Sequence, residues 1–168
     1  MLHQRSDLTF STTPEKDVAV SDYALGYGEG DDYENAVTHR RTVEFVKNRG
    51  VPFFRITDRL AAKDRKAHSY EQIWHLETCE LDISDGAFTA DYGDGVRLEA
   101  KFRSENGRLV DMIGVKTPNL QGWMPVLPAG PHEHRPIHTP ILKGSFKGET
   151  TLLAVFLPVR SGRSAEGP

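Results

Sequence analysis

The sequence predicts an all-β protein: an antiparallel β-sandwich, supersandwich-like, with little or no helix. Three observations predict it. Alternation of apolar and polar residues is the strongest pattern in the chain. Val96, Leu98, Ala100 and Phe102 alternate with Arg97, Glu99, Lys101 and Arg103, the period of a strand with one buried and one solvated face. Turn dipeptides punctuate these runs, Asp94-Gly95 before this one and Asn106-Gly107 after it. Such pairs accept the positive φ angles of tight hairpin turns. Finally, no segment of helical length carries an apolar stripe at 3.6-residue spacing.

Taken in order, residues 1–16 read as a flexible, frayed N-terminus. A sandwich domain is expected over 17–160 and a flexible tail over 161–168. Val37, His39, Arg41, Val43 and Phe45 share one face of a long strand, with Thr38, Arg40, Thr42 and Glu44 on the other. After a turn at Asn48-Arg49-Gly50 comes a strand over 53–60. The charged stretch 60–68 has room for a turn or two of helix at most. A strand over 68–76 puts Tyr70, Trp74 and Leu76 on one face. Residues 79–115 read as an antiparallel meander whose first strand is 79–83. Six of the ten prolines fall within 118–140. Proline cannot donate to a sheet ladder, so this stretch is expected to be a long ordered loop or edge segment. The last strand, 150–159, is apolar on both faces at its centre, Leu152 to Leu157. That pattern suggests a central strand covered on both sides.

Composition narrows the functional classes. With 168 residues the chain is one domain by size, long enough to bury a core without metal or disulfide staples. Lys plus Arg is 21 and Asp plus Glu is 24, a formal charge of -3, so no global basic excess drives nucleic-acid binding. No apolar run approaches the ~20 residues of a membrane helix. No apolar core follows the first charged residues, so no secretory signal is visible. Cys79 is the single cysteine, which excludes an internal disulfide framework and a multi-cysteine metal site. The charge is uneven. Between His39 and Lys66 stand nine cations (Arg40, Arg41, Lys47, Arg49, Arg55, Arg59, Lys63, Arg65, Lys66) and three anions (Glu44, Asp58, Asp64), a block of +6. Such a block suits an acidic polymer such as a uronic-acid polysaccharide, or is a solvated strand face paired with neighbouring acids.

Several residues are candidates for chemistry. Asp58 shares a face with Ile56 and Leu60. If that face is the core, its carboxylate needs a partner, and Arg41 on the preceding strand is the best placed. The pair is either structural or an anion-binding element. His39, His68 and His75 fall on neighbouring predicted strands, with Trp74 and Tyr70 beside them. Aromatic rings and imidazoles on a concave sheet are what sugar binding uses; the alternative is that the aromatics are core and the histidines are satisfied strand residues. The substrate-binding candidates are therefore His39, Arg41, Arg40, Trp74 and His75. His132-Glu133-His134 followed by His138 is the only local metal-like cluster, a weak one because it lies among prolines. Cys79 alternates with Leu81 and Ile83 and reads as a buried, inert thiol. No nucleophile elbow, phosphate-cradling glycine loop or C-x-x-C pair is present. No catalytic pair of carboxylates stands out either.

An ordered set of segments then resembles a known family. His39-Arg40-Arg41-Thr42-Val43-Glu44-Phe45-Val46-Lys47 is followed by Phe53-Phe54-Arg55-Ile56-Thr57-Asp58-Arg59-Leu60, then by His68-Ser69-Tyr70-Glu71-Gln72-Ile73-Trp74-His75-Leu76. Gln121-Gly122-Trp123 comes later, and Thr150-Thr151-Leu152-Leu153 and Leu157-Pro158 close the set. Over roughly residues 17 to 160 this resembles the C-terminal β-sandwich of the heparinase II/III-like polysaccharide lyases. The resemblance implies an enzyme in which a helical toroid supplies the tyrosine and histidine of β-elimination. Early sandwich strands would add an H-x-H motif, an aspartate and a further histidine for catalysis and a structural zinc. None of those segments is located in this chain, so no catalytic residue and no cofactor is assigned to it. The expectation is a domain inactive alone. Its expected partners are an acidic polysaccharide and a toroid domain or partner chain, with no nucleic acid and no membrane span. A free-standing carbohydrate-binding module and a structural sandwich with no sugar role are the alternatives. Many members of that family are periplasmic or secreted; the compartment of this chain stays open.

Overall fold

The structure is a computed structural model and describes residues 7–23, 36–47, 50–117, 121–125 and 133–160. No helix occurs among them. The strands are β1 (Asp7–Thr12), β2 (Lys16–Tyr23), β3 (Val37–Val46), β4 (Phe53–Ala62), β5 (Ala67–Ile73), β6 (Glu80–Ser84) and β7 (Ala87–Asp91). They continue with β8 (Val96–Arg103), β9 (Arg108–Ile113), β10 (Trp123–Pro125), β11 (His134–Pro136), β12 (His138–Lys147) and β13 (Glu149–Arg160). Eight strands form one sheet in the order β1-β2-β3-β4-β13-β8-β7-β6. Three form a second, β5-β12-β9, and β10-β11 is a short ribbon. Every pairing is antiparallel.

The core lies between the large and the small sheet, and parity explains its membership. Side chains two apart on a strand share a face. On β4 that face carries Ile56, Asp58 and Leu60; on β13 it carries Leu152, Ala154 and Phe156, all buried. Phe88, Ala90, Ala100 and Phe102 extend it across β7 and β8, and Tyr70, Leu142 and Phe146 come from the small sheet. Phe156 is its aromatic centre, 4.6 Å from the Trp74 ring and 5.8 Å from Phe102, both edge-on. Such edge contacts add about 0.5–1.5 kcal/mol each beyond area burial.

The structure departs from the sequence reading in several places. Residues 7–12 are a strand, and β2 already starts at Lys16, so the described part of the N-terminal stretch pairs as a hairpin. The tail 161–168 lies outside the described residues. The meander is interrupted. Asp94 and Gly95 do take positive φ, 51° and 72°, and β6-β7-β8 do pair in sequence. The chain after Asn106-Gly107, however, leaves for the other sheet, where β9 pairs with β12. The charged stretch after β4 is a bend over 63–66, and β5 joins the second sheet rather than lying beside β4. The proline-rich stretch holds three strands or strand starts, β10, β11 and β12. Pro140 is tolerated because it sits where the β5 ladder ends: its carbonyl accepts the Trp74 N–H at 3.0 Å, and the missing donor costs only a final rung. Last, β13 is central in its sheet, between β4 and β8. The second face of β13 is not buried like the first, since Leu153, Val155 and Leu157 remain half-exposed.

Candidate functional site

Asp58 organises the polar site. It is 1 % exposed, on the core face of β4, and lies opposite Arg41 of β3. The Arg41 guanidinium grips it with two hydrogen bonds, Nε to Oδ1 at 2.7 Å and Nη2 to Oδ2 at 2.8 Å. His39 Nε2 meets Oδ1 at 2.7 Å, and Gln72 Nε2 of β5 donates to Oδ2 at 2.6 Å across the sandwich. An ionised carboxylate only accepts, so His39 carries its proton on Nε2. Burial on its own would push the Asp58 carboxyl up. The hydrogen bonds from Arg41, His39 and Gln72, with the Arg41 charge, outweigh it and hold the carboxyl far below the ordinary 3.8. With both oxygens doubly occupied and the proton affinity so low, Asp58 is a poor general base. Its role is to lock β3, β4 and β5 together. The cost appears at Gln72, whose Oε1 is buried without a partner among the described residues.

The predicted binding residues separate around this hub. Arg41 stacks over the Trp74 ring, its guanidinium carbon 5.9 Å from the centroid. Trp74 is half-buried against Phe156 and Phe102. His75 is exposed, with Nδ1 3.4 Å from Thr139 Oγ1. Arg40 points the other way, on the outer face, in an ion pair with Asp22 at 3.1 Å. His39 and His68 both line a cleft of about 580 Å3, which Arg41, Tyr70 and Gln72 also line. His68 is held by Asp64 at 2.7 Å. A second cleft, about 570 Å3, brings His39, Arg40 and Arg59 to one end of the large sheet. The residue that sequence reasoning missed is Gln72. Its signal was present: it shares the apolar face of β5 with Tyr70 and Trp74.

Much of the +6 block is compensated. Beyond Arg40 and Arg41, Arg55 pairs with Glu44 at 2.6 Å, and Lys47 with Asp17 at 2.5 Å. Lys16 reaches Glu44 at 3.0 Å. The Arg55 hydrogen bond is the main influence that lowers the Glu44 carboxyl, against the opposing effect of burial.

The zinc implied by the family resemblance does not fit the described residues. No group of three or more His, Cys, Asp or Glu side chains is disposed to hold a metal among them. His138 Nδ1 is tied to Asp111 at 2.7 Å. His134 lies on β11 opposite Pro125. His132 lies outside the described residues. Cys79 is half-buried and free of disulfide; burial, then the Asp111 charge, pushes its thiol up, away from the reactive thiolate.

Solved structures with the same arrangement decide the fold. The heparinase III product of the BT4657 gene superposes with a TM-score of 0.67 over 97 % of this chain, at 17 % identity. The fold is one that heparinase III contains. Its methylated-lysine form gives 0.68 over 95 % at 16 % identity, and a further heparinase III crystal structure gives 0.69 over 94 % at 12 %. In each comparison the aligned part is 22 % of the heparinase III chain. This chain thus spans under a quarter of the heparinase III proteins it matches, and the likeness is to that partial domain. No family model and no curated protein matches the sequence.

Proposed function

We propose that this chain is the β-sandwich part of a polysaccharide lyase directed at uronic-acid glycans, and that it supports β-elimination without performing it alone. The observation that supports this reading is the heparinase III-like fold over nearly all of the chain. The chemistry of the described site agrees. β-Elimination needs a base poised near the C5 proton and neutralisation of the uronate carboxylate. Asp58 is saturated with donors, and the Arg41 and His39 groups beside it are committed to that carboxylate. Such a hub stiffens a platform. Base and acid would come from a toroid domain, joined in one chain or held as a partner, with the acidic polysaccharide between them.

The test is direct. The purified 168-residue protein is incubated with heparin, heparan sulfate and alginate, and the unsaturated product is followed by ultraviolet absorbance. No product is expected. A clear signal from the pure protein would show that the chain carries its own elimination machinery and overturn the reading.

A further inference from the structure

Strand β1 is one edge of the large sheet, and no described strand pairs with its outer side. All of its residues are exposed, Leu8 at 70 % and Phe10 at 68 %. Parity shows what these two large apolar side chains belong to. Phe10 lies opposite Ala19, Ala19 opposite Val43, Val43 opposite Ile56 and Ile56 opposite Ala154. One apolar row therefore runs from the core to the sheet edge. Its members go from buried Ala154 and Ile56, through half-buried Val43 and Ala19, to exposed Phe10, which ends the row without a neighbour. Natural edges are blunted by lysine, proline, a bulge or an inward charge. β1 has none of these: its register with β2 is unbroken, and its one charge, Asp7, lies on the face away from the core. The opposite edge, β6, is protected by Glu80 and Asp82.

The phase of the hydrogen bonds makes this edge self-complementary. Thr13 N–H donates to Lys16 O at 2.8 Å. By alternation, Ser11, Thr9 and Asp7 bond to β2, while Leu8, Phe10 and Thr12 turn their N–H and C=O groups to the open side. Consider a second copy related by a two-fold axis through Thr9, perpendicular to the sheet. Leu8 then stands opposite the partner's Phe10, and Phe10 opposite the partner's Leu8. Each is a hydrogen-bonded pair that exchanges both N–H···O bonds. Thr9 meets its own copy, and Asp7 meets serine rather than another acid. Aromatic–aliphatic and Thr–Thr pairs are favourable cross-strand neighbours, and a two-fold interface needs this self-matching. We propose that the chain associates with a second copy across β1, joining two large sheets into one and closing the apolar row on itself. The contact is small against the ~1,600 Å2 of a standard interface, so the dimer is weak and concentration-dependent. The inference stands on the edge alone and not on the lyase reading.

The experiment is analytical ultracentrifugation of the whole protein from roughly 5 µM to 500 µM, the range in which a small interface titrates. Wild type should pass from monomer to dimer over that range. Leu8→Lys with Phe10→Lys should raise Kd about tenfold or more. Its thermal midpoint at low concentration should match wild type, because both side chains are already exposed. Ile113→Lys, at an exposed apolar residue of the second sheet, should leave the dimer unchanged. The register is read separately, in a Cys79→Ser background. Two Thr9 Cα atoms in a non-hydrogen-bonded pair would stand about 4.5 Å apart, within reach of a disulfide. Thr9→Cys should therefore cross-link on mild oxidation much faster than Ser11→Cys, whose copies are out of register. A monomer at the highest concentration would assign the edge to a different partner and overturn the proposal. A dimer that survives Leu8→Lys with Phe10→Lys, equal loss in Ile113→Lys, or equal cross-linking at Thr9 and Ser11 would overturn it too.

Discussion

Asp58 carries most of what can be tested at the level of single residues. Its pairing with Arg41 was legible from parity, because both fall on the inward face of adjacent strands. The rest of its shell was not. His39 shares that face, but its charged neighbours made it read equally well as a sugar contact. Gln72 belongs to the other sheet, and which residues meet across a sandwich is set by sheet packing, which no local period encodes. Asp58→Asn should cost about 3 kcal/mol, the low end for breaking a buried pair, because Arg41 keeps partial access to water. That corresponds to a fall in Tm on the order of 6–12 °C. A pH series gives a second reading. The carboxyl is lower in the folded protein than its ordinary 3.8. Its stabilisation is therefore present above about pH 4 and is lost as pH falls towards the folded value. Wild type should lose stability between about pH 4 and pH 2, and Asp58→Asn should lose less over the same range. Parallel melting curves for the two proteins would contradict the assignment.

Among the elements, strands with one solvated face were the legible ones. β3, β4 and β8 alternate, and their sheet partners follow. β12 was hidden because Thr139, Pro140, Ile141 and Leu142 are all buried, so no alternation marks it, and its proline and Gly144 resemble loop punctuation. Asn106-Gly107 misled for a related reason: a turn pair tells that the chain turns, not which sheet it enters next. Gly122 is the small residue that holds the β9, β10 and β12 region together. Its carbonyl accepts N–H groups from Gly114 at 3.0 Å and Ile137 at 2.9 Å. Its φ is +72°, and an added Cβ would lie 2.6 Å from Met112 O and 2.7 Å from Gly114 N. Both neighbours are backbone and cannot move aside cheaply. Gly122→Ala should therefore destabilise by more than about 1 kcal/mol. It should also alter the near-ultraviolet dichroism of Trp123, whose indole donates to Val115 O at 3.0 Å. An unchanged melting curve would refute the close approach as the reason for glycine.

For the whole molecule, the fold class was readable but the division of labour between sheets was not. The sequence shows how many strands there are more readily than where each one inserts, because insertion depends on contacts distant in sequence. β13 joins two otherwise separate groups, β1-β2-β3-β4 and β8-β7-β6. A chain ended at Lys147 should fail to unfold cooperatively in urea, while keeping strand-like dichroism in its hairpins. A single sharp transition for that truncation would show that the two groups hold together without β13. The same placement has a consequence during synthesis. The ribosome makes β4 roughly a hundred residues before β13 is finished, an interval on the order of 5–20 s at ordinary elongation rates. Once β8 has followed β4, the nascent chain presents two bare strand edges, on β4 and on β8, each suited to the same missing strand. Crowded polysomes would let the edge of one nascent chain capture the late strand of its neighbour. Yield in the cell would then depend on chaperone supply and translation speed more than on the stability of the finished fold.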